Sequence, residues 1–230
     1  MIKLIFRIFL VFVVAAIVGL VWGTLDPYQA EAAIVVEDPV KTALLQENLE
    51  CYGFILGSPE LSLSSGMSFA INPSGGNVPT EELVTAVNAA IAEWEATAGD
   101  VFGEGYVDEG ANYVYGDGLN TVTFGSLEDG AIGTNYLIVR DEGEGWQIVE
   151  WNLVLNASYI WGDELQEEGV TDLQGILTHE LGHALGLSDL SNAFCIEQTM
   201  YQGGEVGNLS KLRDLGEQDL RGLRTIYPIN

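Results

Sequence analysis

The run His179-Glu180-Leu181-Gly182-His183 holds both histidines of this 230-residue chain. On a helix, a four-residue spacing sets the two imidazoles on one face, one turn apart. Imidazoles held that way can grip one zinc ion, and the glutamate beside the first can act as base toward a water activated there. Two histidines scattered at random over a chain of this length fall four apart only about once in a hundred trials, and a glutamate after the first makes that roughly tenfold rarer. A site of this type needs a third protein ligand and one open position. The chain has no third histidine, so a carboxylate must complete a three-ligand set, and Asp189 is placed for it. Gly186, three residues after His183, suits the left-handed turn that would end the helix and bring the chain back.

The run His179–Asp189 resembles the signature of the metzincin zinc endopeptidases, HExxHxxGxx followed by a ligand. Its aspartate ending looks like the snapalysin-type form. Thr199-Met200-Tyr201 is similar to the methionine turn that lies beneath the metal in that family, which gives Met200 a structural role. Other stretches resemble the matrixin branch in the right order: Met67–Gly75 its first strand, Ala86–Phe102 its first helix, Asp117–Leu127 a middle strand, Ile148–Ala157 the strand before the active-site helix, and Leu215–Pro228 its closing helix. The resemblance covers 61–230. Two departures stand out. Asp189 replaces the usual matrixin histidine, and Tyr201 directly follows Met200, one residue short of the position of the zinc-site tyrosine in astacin-like proteins, so it is given no such role.

The elements that must position these residues are legible in outline. Pro79 and Thr80 open a helix with Thr80 as its expected N-cap, Glu81 and Glu82 suit the positive end of its dipole, and Gly99 ends it. Leu83, Val87, Ile91 and Trp94 recur at helical spacing and form its core face. The runs 121–124, 132–139 and 146–155 read as strands of a small sheet. The resemblance implies that Ala131–Asn135 is an open edge to which an extended peptide can add. Thr171-Asp172-Leu173-Gln174 reads as a capping box, which starts a helix running from Asp172 to Leu185 through the histidines. A last helix spans Glu217 to Tyr227, and the Gly-rich stretch 203–213 is irregular; in the family that stretch shapes the pocket beside the scissile bond. The fold class expected is α+β, a metzincin-like catalytic domain with a small twisted mixed sheet, an active-site helix and a C-terminal helix. No internal repeat or low-complexity linker is present.

Lys3 and Arg7 precede an uncharged apolar run from Ile8 to Leu25, followed by Ala30-Glu31-Ala32. This order reads as a secretory signal peptide over 1–32, with an uncleaved membrane anchor as the alternative. A lead-in segment, 33–60, then precedes the catalytic domain. The expected product is secreted, or else membrane-anchored with the catalytic domain outside. Cys51 and Cys195 are the two cysteines, and in an exported chain they suggest a disulfide. The alternative is a cysteine switch, with the Cys51 thiolate on the zinc of a latent form. The net charge of −26 argues against a nucleic-acid partner and against anionic membranes once the signal is cleaved. Acidic loops at Asp108–Gly110 and Asp117–Asn120 are candidates for structural calcium, although no EF-hand pattern occurs.

Together these features predict a monomeric, exported zinc endopeptidase acting on protein or peptide substrates. His179, His183 and Asp189 would bind zinc, with Glu180 as general base. An aspzincin-like protease is a second enzyme reading, disfavoured because Asp189 follows His183 so closely. The non-enzymatic alternative is a zinc-bearing surface or binding protein of the same fold, against which the intact Glu180 argues.

Overall fold

The computed structural model describes residues 50–127, 130–141, 146–203 and 207–228. The expected signal segment 1–32 and residues 33–49 of the expected lead-in lie outside the described residues. Among the described residues, no helix is long and apolar enough to cross a membrane.

Among the described residues, eight strands and three α-helices follow one another as β1 (Ser62–Leu63), β2 (Met67–Ile71), α1 (Thr80–Ala98), β3 (Phe102–Val107), β4 (Asn120–Gly125), β5 (Gly133–Asp141), β6 (Trp146–Asn156), β7 (Trp161–Gly162), β8 (Thr171–Asp172), α2 (Leu173–Ala184) and α3 (Glu217–Ile226). Six strands form one mixed sheet. β3, β2, β4 and β6 run parallel in that order, and β1 pairs in parallel with the start of β6. β5 alone is antiparallel; it pairs with β6 from Gly133 opposite Leu155 to Asp141 opposite Trp146. β7 and β8 make a separate two-stranded ribbon. The α+β class and the mixed sheet are as expected, and the architecture is compatible with a matrixin-type domain.

The predicted apolar face of α1 is buried throughout, with Leu83, Val87, Ile91 and Trp94 all inside. Trp94 ties α1 to α2 by donating its indole N–H to the Thr178 carbonyl at 2.8 Å. Behind α2, the core continues through Leu137, Ile148, Trp151, Leu153 and Leu155 of β5 and β6.

Local details depart from the sequence reading in four places. Thr80 is the first helical residue and caps nothing; the N–H groups of Glu82 and Leu83 both reach the Pro79 carbonyl. Thr171 lies in β8, so the Thr171–Gln174 capping box does not form. Asp172 caps α2 instead, accepting from the Gly175 N–H at 2.8 Å. The C-terminal helix stops at Ile226, one residue early. Strand β3 was not foreseen; the helix before it ends at Ala98 with Gly99 as its C-cap, as expected. Gly103 and Gly105 hide that strand's pattern, yet both are required there. A Cβ on Gly103 would lie 2.5 Å from the Met67 carbonyl carbon, and one on Gly105 would lie 2.4 Å from the Phe69 ring.

Candidate metal centre

Helix α2 carries His179, Glu180 and His183 and is buried along almost its whole length. His183 stands in its last turn, where a neighbouring carbonyl is in reach. Each imidazole is oriented by a main-chain carbonyl that accepts from its Nδ1–H: Thr199 for His179 at 2.7 Å and Leu187 for His183 at 2.9 Å. A proton is thereby held on Nδ1, so Nε2 is the nitrogen that takes a metal or, in its absence, a second proton shared with Asp189. Both Nε2 atoms then face the Asp189 Oδ1, at 3.2 Å from His179 and 3.5 Å from His183.

Asp189 arrives there because the chain turns at Gly186, whose φ is +98°. A side chain at Gly186 would be strained by that φ and would also strike the Leu61 carbonyl oxygen at 2.4 Å. The turn is held from outside by a segment that precedes the sheet. The Ile55 N–H donates to the Gly186 carbonyl at 2.9 Å, and the Ser188 N–H donates to the Gly53 carbonyl at 3.0 Å. Cys51 and Cys195 are joined in a disulfide, which anchors this segment beside the loop carrying Asp189. With Cys51 in that bond it is no free thiolate, and the cysteine-switch alternative does not hold in this structure.

One ligand atom from each of His179, His183 and Asp189 lies within 4.8 Å of the other two. Two imidazole nitrogens with a carboxylate oxygen make a donor set that suits zinc, and the fixed Nδ1–H tautomers leave the correct nitrogens free for it. Among the described residues this is the one cluster of at least three metal-type side chains. The calcium candidates find no support. Asp108 accepts from the Gly110 N–H and Asp117 from the Leu119 N–H, each closing a small turn.

Glu180 is buried beside the triad. Burial raises its pKa; the charges of His183 and His179, and a hydrogen bond from the Asn135 main-chain N–H, pull the other way without cancelling the rise. Strand β5 begins directly over it. A Cβ on Gly133 would lie 2.9 Å from the Glu180 Oε1, so only glycine leaves the carboxylate its place. β5 pairs with β6 on one side, so Gly133–Asn135 lies on an outer strand of the sheet, as expected of the edge.

Met200 is buried under α2. A Cβ on Gly182, between the two histidines in sequence, would meet its Sδ at 2.3 Å. Asp219 of α3 sets the backbone of this turn by accepting from the N–H groups of Thr199 at 2.7 Å and Met200 at 3.3 Å. Its buried carboxylate thus acts on His179 through the Thr199 carbonyl. Asp219, Asn135 and the Gly53–Ile55 segment were not singled out from sequence. Asp219 offered only the pattern of an acid in a helix's first turn, Asn135 only its place in the expected edge 131–135, and Gly53–Ile55 only its nearness to Cys51.

A cavity of about 20 Å³ adjoins the centre, lined by Ile55, Thr134, Asn135, Leu137, Glu180, His183 and Asp189. A larger one of about 440 Å³ lies apart from it, by the first turns of α1 and α2 near Glu81, Glu82 and Arg213. The ligand atoms converge at the small one.

An α+β domain with a buried HExxH helix and a returning carboxylate is compatible with a matrixin-type metalloprotease domain. A model of the Matrixin family matches residues 130–228, less than half of the chain but including the whole centre. The chain is also similar to human matrix metalloproteinase-15, at 44% identity over 62 residues; the match covers 25% of this chain and 9% of that protein.

Proposed function

We propose that the chain is an exported zinc-dependent endopeptidase whose ligands are His179, His183 and Asp189, with Glu180 as general base. The observation that carries this reading is the convergence of His179 Nε2, His183 Nε2 and Asp189 Oδ1 beside a buried Glu180. The aspartate as third ligand is the finer, snapalysin-type element of the proposal.

When bound, zinc would supply Lewis acidity to a water and to the scissile carbonyl. The chain's own residues do the rest. Glu180, with a raised pKa, takes a proton from the water as its oxygen adds to the peptide carbon. It returns that proton to the nitrogen as the C–N bond breaks, leaving a free carboxylate and a free amine. The Thr199 and Leu187 carbonyls keep the imidazoles in one tautomer and orientation. The outer strand at Gly133–Asn135 offers main-chain groups to an extended peptide. Met200 floors the ligands as a structural residue. Export is supported by the Cys51–Cys195 bond, which suits an oxidising compartment.

Glu180→Ala is the deciding variant. It should keep one zinc per chain and lose casein hydrolysis by at least about a hundredfold, the usual worth of a positioned base. A variant that hydrolyses casein like wild type removes Glu180 from the mechanism. A wild-type protein that holds zinc yet cleaves nothing supports the zinc-bearing binding protein instead.

A further inference from the structure

Asn135 stands apart from the other polar residues of the centre. It is 3% exposed, it lies on β5 rather than on the zinc-binding helix, and its two side-chain polar atoms have different fates. Nδ2 donates to the main-chain carbonyl of Glu180 at 2.8 Å. Oδ1 is buried with no hydrogen-bond partner. Turning the amide over would not help, because Oδ1 would then face the Glu180 carbonyl, acceptor against acceptor. Buried acceptors rarely go unmatched, so an orphan one calls for a ligand.

The cavity lined by Asn135 has room for one water and little more, at about 20 Å³. A small cavity holds water only if it offers polar partners. Ile55 and Leu137 give this one apolar walls, while Asn135, Glu180, His183 and Asp189 supply polar side chains and the Thr134 hydroxyl is already spent on the Gly133 carbonyl.

We propose that Asn135 Oδ1 accepts a hydrogen bond from a single water in this cavity, so that Asn135 is a positioning residue for the hydrolytic water beside Glu180. The water has two hydrogens to give, one to the Glu180 carboxylate and one to Asn135, which leaves its oxygen lone pairs to face the reacting carbon. Nδ2 makes the same residue a brace. It fixes the backbone from which Glu180 projects, so base and water are set by one side chain. This role rests on the peptidase reading above, but the water site does not.

Two measurements test it. A high-resolution crystal structure of the metal-free protein should show one ordered water within about 3.2 Å of Asn135 Oδ1; a dry cavity overturns the proposal. Asn135→Leu keeps the branched heavy-atom skeleton, with bulkier methyl groups, and removes both polar atoms. With one zinc per chain and an unchanged melting temperature in chelator, it should lose about 10- to 100-fold in kcat toward a peptide substrate, the order expected for a misplaced reactant. KM should stay within about threefold, since binding is not what Asn135 supplies. Asn135→Ala should show the same split if the leucine variant folds poorly. Unchanged kcat in a zinc-loaded variant overturns the positioning role, and so does a loss of kcat that merely follows lost zinc or a lower melting temperature. A wild type that binds zinc but cleaves no peptide would refute the peptidase reading, while the ordered water would still decide the Asn135 site.

Discussion

At His179, proton and metal compete for one nitrogen. Burial disfavours charge on the ring, but the hydrogen bond to Asp189 and the negative charges of Glu180 and Asp189 prevail and push its pKa from 6.5 up to about 9. The same contact holds Asp189 well below the usual carboxylate range despite its burial. In the metal-free protein this pairing stabilises the fold fully below the ordinary histidine pKa, and that contribution is lost as pH rises through about 9. Zinc must displace the proton, so its affinity should climb across the same window. Calorimetric titration at pH 7 in buffers of differing ionisation enthalpy should register about one proton released per zinc; binding without proton release would mean that His179 is already neutral. Asp189 is tested separately. Asp189→Ala should weaken zinc at least about tenfold, while Asp189→His should retain it by restoring an imidazole in the third position. Equal zinc affinity in wild type and Asp189→Ala would reduce Asp189 to a turn residue.

At the scale of the element, α2 depends on what holds its first turn. Asp172 is fully buried and serves three partners at once. It caps the Gly175 N–H, accepts from the Glu164 N–H at 3.1 Å, and pairs with Arg213, whose Nε reaches Oδ1 at 2.8 Å. Arg213 also binds Asp163, and these hydrogen bonds raise its pKa further still. Asp172→Ala would uncap the helix, at about 1 kcal/mol, and leave the partly buried Arg213 guanidinium with Asp163 alone, a further loss smaller than that of a fully buried pair. Urea unfolding should show the midpoint falling accordingly. A variant as stable as wild type would show that the Arg213 network is dispensable.

The whole molecule is closed by the Cys51–Cys195 bond, which spans 144 residues. The chain-entropy relation assigns a loop of that length about 5 kcal/mol. Replacing both cysteines by serine should therefore lower stability substantially. It should also weaken zinc binding, because the anchored segment braces the turn before Asp189. A variant with wild-type zinc affinity would separate the two effects and leave the bridge with stability alone. Charge acts on the same scale. Acidic residues number 34 against 8 basic, so repulsion opposes compactness. Raising sodium chloride from about 0.1 M to about 1 M shortens the screening length from about 10 Å to about 3 Å. The melting temperature at fixed pH and saturating zinc should rise over that range; a flat or falling trend would show that the carboxylates are too well spaced and hydrated to repel.

Sequence alone determined the parts of the centre that are local. His179, Glu180 and His183 share a face because helical geometry repeats every few residues. Gly186 turns the chain because only glycine adopts its φ without strain, and Asp189 follows within reach. The core face of α1 and the strand runs before α2 were legible for the same reason, since burial imposes a period on the chain. Tertiary structure decided everything that depends on which distant atom fills a given space. The carbonyl that orients His179 comes from 20 residues away and the amide that braces Glu180 from 45 residues away. Strand β3 escaped notice because close approach to β2 demands glycines, which erase the alternation that marks a strand. Asp172 rather than Thr171 caps α2 because its carboxylate meets both the Gly175 N–H and the Arg213 guanidinium. Such choices are made by packing between elements, where no periodicity along the chain records them.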